Sequence, residues 1–256
     1  MRRVVFGGES FQPFTERLSG YTDAYAKLVF GVDGVEYPEP FDIKTIRATM
    51  PVDVWPVMRT YTIRNVDYEH HELAIDFVIH GDEGVAGPWA MAAEPGDVLH
   101  IRGPSGGYAP HPDADVHLLV GDEAALPAIA AALEAMPAGA RAVAFIEVAD
   151  AAEEQPITTA ADLELTWLHR DGAAPGTTSL LADAVYDWPW PDGDVSAFVH
   201  GEAGLLKTVR PYLLKERGLP RSAVSISGYW RRGNDEEGFR TWKSQQEDAV
   251  MRPAAT

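Results

Sequence analysis

Residues 111–148 read HPDADVHLLVGDEAALPAIAAALEAMPAGARAVAFIEV, and the order of patterns within them decides the fold. VHLLV at 116–120 is apolar without alternation, as a strand covered on both faces requires. GDEA then turns the chain, an alanine-rich helix is expected over roughly 123–135, and AVAFIEV at 142–148 is a second continuous apolar strand. The alternation goes on downstream, with strands expected at 163–168, 195–200 and 223–227 and helices at roughly 177–186 and 203–217. Five strands separated by helices predict a doubly wound parallel α/β sheet. The last of these helices carries Leu205, Leu206, Val209, Leu213 and Leu214 on one broad face, and Gly218 and Pro220 end it. Pro211 removes a backbone donor from its interior, which predicts a kink or a split.

Upstream of residue 110 the pattern differs. Short strand-like runs at 25–32, 59–64, 73–80 and 97–102 are separated by Gly, Pro and Asp, with little helical periodicity between them. That is the pattern of an antiparallel barrel or sandwich. The linker falls between Tyr108 and Asp115, so two domains are expected, 1–110 and 111–256.

Composition limits what these domains do. Across 256 residues, 21 Lys and Arg stand against 39 Asp and Glu, a formal charge of −18, which excludes a general nucleic-acid or anionic-membrane surface because phosphate binding needs excess cations. The absence of Cys excludes disulfides, Cys-ligated zinc, iron–sulfur clusters and Cys nucleophiles, so redox chemistry must come from another cofactor. MRRVVFGGES has too short an apolar run for a signal peptide, and no 18-residue apolar run follows. A soluble cytoplasmic protein is expected, and a monomer, since no apolar stripe calls for an obligate partner.

Several segments can carry chemistry. In RTYTIR, Arg59 and Tyr61 point to one face of a predicted strand and Thr62 to the other. Arg59 suits a pyrophosphate, Tyr61 a planar ring and Thr62 that ring's polar edge, as at a flavin site; an ordinary edge strand is the alternative. The stretch 76–107, DFVIHGDEGVAGPWAMAAEPGDVLHIRGPSGG, ends a strand at His80, turns on glycines and starts a short helix near Pro88. Such a turn offers backbone N–H groups to a diphosphate. EPGD is a tight turn that needs no function.

Other motif matches fail on context. GPSGG at 103–107 has the spacing of a nucleophile elbow but no helix after its serine, and GEAGLLKT at 201–208 puts Leu206 where a phosphate loop needs glycine. The eight His show no metal-ligand spacing, so no metal site is expected. VGDEAALPAI at 120–129 stands at a carboxyl sheet edge, where nucleotides bind, though it lacks GxGxxG and Asp122 reads equally well as a helix cap. Glu147, Asp150, His169, Arg170 and Gly201–Glu202 end the following strands, where an acid can hold a ribose or Arg170 a 2′-phosphate; solubility alone would place charges there too. On this reading Arg170 favours NADPH over NADH. SGYWRRGNDEEGFRTWK at 227–243 supplies Tyr229 and Trp230 to shield a ring, while Phe239 and Trp242 suit a C-terminal helix packed on the core.

Taken in order, RTYTIR, HGDEG…GPWA…PGD…GPSGGY, GDEAALPAI, EVAD…EEQ, LTWLHRDG…PG and HGEAGLLKTVRPYLLKERG…SGYWRRG resemble the siderophore-interacting protein family over about Val4 to Lys243. These are flavin-dependent ferric-siderophore reductases of the ferredoxin–NADP reductase superfamily. The resemblance implies a six-stranded antiparallel β-barrel holding FAD, followed by an NAD(P)H-binding α/β domain. It further implies FAD contacts from Arg59, Tyr61, Thr62, His80, Gly81 and the turn Gly87, Pro88, Trp89 and Ala90, with Gly121, Asp122, Glu202 and Ala203 facing the nicotinamide. Val85, Ala124, His200 and Pro211 depart from the family pattern.

The activity so implied passes electrons from NAD(P)H through FAD to siderophore-bound ferric iron, releasing ferrous iron that hard oxygen donors hold less tightly. Ferric siderophores are commonly anionic, so cations must gather at the pocket mouth of so acidic a chain; Lys44, Arg47, Arg231, Arg240 and Lys243 are the candidates. The rival readings are a general flavin or ferric-chelate reductase, one driven by ferredoxin, and a module that binds and delivers ferric siderophore without turnover.

Overall fold

The computed structural model describes residues 1–79, 81, 84–234 and 236–251 and divides into two compact units. The first comprises Met1–Gly20 and Ala24–Gly106, and the second Tyr21–Asp23 and Gly107 onward.

In the first unit five strands, β1 (Arg2–Phe6), β2 (Tyr25–Phe30), β3 (Val57–Asp67), β4 (Glu72–Phe77) and β5 (His100–Ser105), form one antiparallel sheet in the order β1-β4-β3-β2-β5. The resemblance implies six strands and a closed barrel. Among the described residues there are five, and no ladder joins β1 to β5. RRVVF is β1 itself, held to β4 by a bidentate pair in which Arg3 donates to both oxygens of the buried Asp76, at 2.6 and 2.8 Å. Alternation along β2 and β4 sends Ala26, Leu28, Ile75 and Phe77 into a core closed by Trp89 of a short helix, α3 (Ala86–Ala92). GPSGG ends β5 at Ser105 and no helix follows its serine, as its rejection as an elbow requires.

Two further helices, α1 (Phe11–Thr15) and α2 (Ile43–Thr49), complete this unit. Asp42 caps α2, accepting from both the backbone N–H and the hydroxyl of Thr45 at 2.9 Å. Those bonds hold its carboxyl below the usual carboxylate range. Asp42→Ala is expected to destabilise the first unit by removing the cap of α2, read as a lower urea midpoint at unchanged slope.

The second unit is a parallel sheet of β6 (Val116–Asp122), β7 (Arg141–Val148), β8 (Asp162–His169), β9 (Val195–Glu202) and β10 (Val224–Trp230), in the order β10-β9-β6-β7-β8. Helix α4 (Leu126–Ala135) packs on β6 and β7. Helices α5 (Leu180–Asp187) and α6 (Ala203–Pro211) cover the opposite face, where Val116, Leu118, Val120, Ala197 and Val199 meet Leu181, Val185 and Val209. The sheet is therefore apolar on both faces, as the continuous runs in the sequence predict.

α6 ends at Pro211, and a π-type turn, Tyr212–Glu216, replaces the expected continuation, because the proline withholds an N–H from the helical ladder. The last helix, α7 (Glu236–Met251), carries Phe239 against Gly228. Asp23, lent from the first half of the chain, accepts the backbone N–H groups of Gly107 and Tyr108 at 2.8 Å each. No helix among the described residues is long and apolar enough to cross a membrane, and none of their His, Asp and Glu side chains cluster as a metal site.

Candidate functional site

In the first unit the polar strand β3 pairs with β2 so that Arg59 faces Leu28 and Tyr61 faces Ala26. Arg59 is half-buried, and among the described residues its guanidinium donates to the carbonyl of Met58 at 2.9 Å through one of its five N–H groups. Tyr61 leans on Phe77 with ring centroids 4.6 Å apart, and Thr62 is buried.

The glycine turn beyond β4 holds Gly81 and Gly84 at φ +62° and +81°, and nothing occupies the space beside either. It leads into α3, whose N-cap residue, Val85, offers no side-chain acceptor to the N–H groups of Ala86 and Gly87. Gly87 and Pro88 lie in that turn. Trp89 and Ala90 do not line it with their side chains: Trp89 packs among Phe6, Phe30 and Phe77, and Ala90 is fully buried, so they build core. His80 lies outside the described residues. An open cationic fork and an uncapped glycine-rich helix start fit the two charged oxygens of a diphosphate.

In the second unit the strand order reverses between β6 and β9, so its switch point lies at their carboxyl ends, Gly121–Asp122 and Gly201–Glu202. The backbones there are close. A Cβ on Gly121 would stand 2.5 Å from that of Ala125 and 2.7 Å from the carbonyl oxygen of His200. One on Gly201, at φ +137°, would stand 2.7 Å from Asp122 Oδ2.

Asp122 is engaged by the protein itself. It is buried, and its carboxylate accepts from Trp230 Nε1 at 2.7 Å, Glu202 N at 2.9 Å and Ala124 N at 3.0 Å. Burial pushes its carboxyl up to about 6, with the Trp230 bond opposing. Glu202 caps α6 by accepting from Gly204 N and also takes the N–H of Arg232 at 3.2 Å. Ala203 is buried. Asp122, Glu202 and Ala203 thus shape the crevice floor, and Trp230 stands over it beside Gly176.

Arg170 departs furthest from expectation. It is buried, and its guanidinium donates to both oxygens of Glu123, at 2.8 and 2.7 Å, with Glu147 Oε1 3.6 Å away. Burial opposes its charge, but the hydrogen bonds and charge of Glu123, then the charge of Glu147, outweigh it and hold the guanidinium above its usual value. Thr178 completes the network by donating to Glu147 Oε2 at 2.6 Å. A fork so engaged does not await a 2′-phosphate. Sequence reasoning passed over Glu123 as part of a turn; the signal was that Arg170 is the one Lys or Arg between residues 142 and 206, among 12 Asp and Glu.

His200 is buried on β9, stacked on Phe198 at 4.0 Å and bonded to Ser225 Oγ at 2.9 Å, with Tyr229 4.8 Å away. Burial, assisted by the charge of Lys243, pulls its imidazole down to about 3. The candidate substrate cations are divided between the units. Lys44 and Arg47 are exposed on α2, Arg47 over Trp55 at 5.2 Å. Arg231 lies over Trp242 at 4.3 Å and Lys243 donates to Ser227 at 2.7 Å. The side chain of Arg240 is outside what is described.

Comparison with known proteins follows the same division. Residues 1–108 match the siderophore-interacting FAD-binding domain family and residues 114–233 the siderophore-interacting protein family. The ferric vibriobactin reductase ViuB of Vibrio cholerae is 38% identical over 72% of this chain and 68% of its own. The NADPH-dependent ferric-chelate reductase of Escherichia coli is 32% identical over 90% of this chain and 86% of its own. A siderophore utilization protein from T. fusca superposes with a TM-score of 0.77 at 41% identity, covering 91% of this chain and 87% of that one. With an antiparallel sheet ahead of a parallel one and relatives along nearly its whole length, the chain belongs to the siderophore-interacting protein family.

Proposed function

We propose that this protein is a flavin-dependent ferric-siderophore reductase, working in the cytoplasm as a monomer. The observation that carries the reading is the match of residues 1–108 to a FAD-binding domain in a chain whose remainder is a parallel sheet with a nucleotide-type switch point. A bound FAD would supply the redox chemistry that reconciles NAD(P)H, a two-electron hydride donor, with ferric siderophores, which accept one electron each.

The chain's own residues hold and orient these partners. Arg59 pairs with the diphosphate, which the N–H groups of Gly81, Gly84 and Gly87 cradle, while Pro88, which has no N–H, fixes the helical turn beside them. Tyr61 and Thr62 fix the flavin ring. Gly121 and Gly201 let β6, β9 and the Asp122 carboxylate close up beneath the nicotinamide half, and Trp230 and Tyr229 shield it from water. Lys44, Arg47, Arg231 and Lys243 offset the repulsion that a −18 chain exerts on an anionic ferric siderophore.

The test is a visible spectrum of the FAD-reconstituted protein, followed anaerobically by NADH or NADPH and then by a ferric siderophore with a ferrous trap. Flavin absorbance should bleach with nucleotide and return as the ferrous complex appears. Flavin reduced only by ferredoxin would replace the donor, and iron bound without any turnover would leave a delivery module. Arg59→Ala is expected to weaken FAD binding by ~10–100-fold, the worth of a charge-assisted hydrogen bond. Its circular dichroism should be unchanged, and flavin retained undiminished would remove Arg59 from the site.

A further inference from the structure

The Glu123–Arg170 pair bears on which nucleotide the second unit accepts, an inference that rests on the reading of that unit as the nicotinamide-binding half. In a doubly wound sheet the dinucleotide lies across the switch point, and the adenosine ribose falls at the carboxyl end of the neighbouring strand. There an acid holds a free 2′-hydroxyl or a cation holds a 2′-phosphate. Here the switch point is between β6 and β9, so the neighbouring strands are β7 and β8, ending at Glu147–Val148 and His169–Arg170.

Buried at that edge are Glu123, Glu147 and Arg170, two carboxylates around one guanidinium with a net negative charge; beside them His169 is engaged by Glu154 at 2.7 Å and Asp150 accepts from Ala152 N. Arg170 has only 5% of its side chain exposed, and both terminal nitrogens are engaged by Glu123. No other Lys or Arg lies between residues 142 and 206 to take its place. A 2′-phosphate arriving there would have to break a buried bidentate pair and strand two carboxylates, whereas a 2′-hydroxyl needs only an acceptor.

We infer that Glu123, by sequestering Arg170, selects the electron donor: this protein takes NADH and rejects NADPH. Glu123 is thus a positioning residue whose effect falls on the 2′ substituent. In this the chain differs from its E. coli relative, which is named for NADPH.

The experiment is calorimetric titration of the FAD-loaded protein with ADP-ribose and with its 2′-phosphate, two ligands that undergo no turnover. The wild type is expected to bind ADP-ribose at least ~10-fold more tightly. Glu123→Gln removes the competing charge and should shift that ratio by ~10-fold or more toward the 2′-phosphate. Equal binding by the wild type, or preference for the 2′-phosphate, overturns the assignment even if the variant fails to fold. So does an unchanged ratio in a folded Glu123→Gln. If neither ligand binds while the flavin spectrum is intact, the nucleotide reading of the second unit fails and takes the assignment with it, a result distinct from equal binding.

Discussion

Replacing His200 with Gln is expected to make the protein relatively more stable at pH 4 than at pH 7, by ~3 kcal/mol compared with the wild type. The unfolded imidazole titrates near its ordinary value of ~6.5. In the fold, burial between Phe198 and Tyr229 pulls it down to about 3. The contribution is therefore whole above pH ~6.5 and is lost as pH falls towards about 3, at about 1.36 kcal/mol per pH unit. Asp122 has the opposite sign. Its folded value of about 6 lies above the unfolded one, so its contribution is present in acid and is lost as pH rises towards 6. Between pH ~4 and ~6 the contributions of these two groups run in opposite directions. Urea titrations of wild type and His200→Gln at both pH values separate them. A variant whose deficit is the same at both pH values would show that His200 does not stay neutral in the fold.

The second large effect belongs to the switch-point glycines. Gly121→Ala would push a methyl group against the Ala125 Cβ and the His200 carbonyl, neither of which is the end of a flexible side chain. Gly201→Ala adds an unfavourable φ to a clash with the Asp122 carboxylate. Each is expected to destabilise the second unit by ~3 kcal/mol, from overpacking and backbone strain. Because β6 and β9 must part to admit the methyl, binding of ADP-ribose should also fall by ~10-fold or more, while the flavin spectrum remains. Gly107→Ala, with open space around its Cβ, is the control and should stay within ~0.5 kcal/mol. Wild-type binding and stability in Gly121→Ala would mean that the two strands are not as close as described.

What the sequence disclosed and what it hid divide along a physical line. VHLLV, AVAFIEV and their helices were legible because continuous apolarity is a local consequence of being covered on both faces. The break after Pro211 was legible because a missing N–H acts within one turn. The site was less so. Glu123 and Arg170 are 47 residues apart, and Asp122 and Trp230 are 108 apart. Their pairing depends on strand order, which no local pattern encodes. Arg170 therefore read as a free cation although the fold engages its fork. Trp89 read as a ligand contact because it follows a glycine turn, yet its ring fills the gap between Phe6, Phe30 and Phe77. RRVVF was set aside as too short for a signal peptide and given no other place, and its role as a strand became visible only through Asp76, its partner 73 residues on.

The loan of Tyr21–Asp23 to the second unit has a consequence for inheritance. Gly107 and Tyr108 open the second half of the chain, and the carboxylate that receives their N–H groups is encoded more than eighty residues earlier. A recombination event or a designer's splice at residue 107 would move the parallel sheet without its clasp, leaving two buried-side donors to find water. The halves can diverge in sequence, but they travel as one cassette.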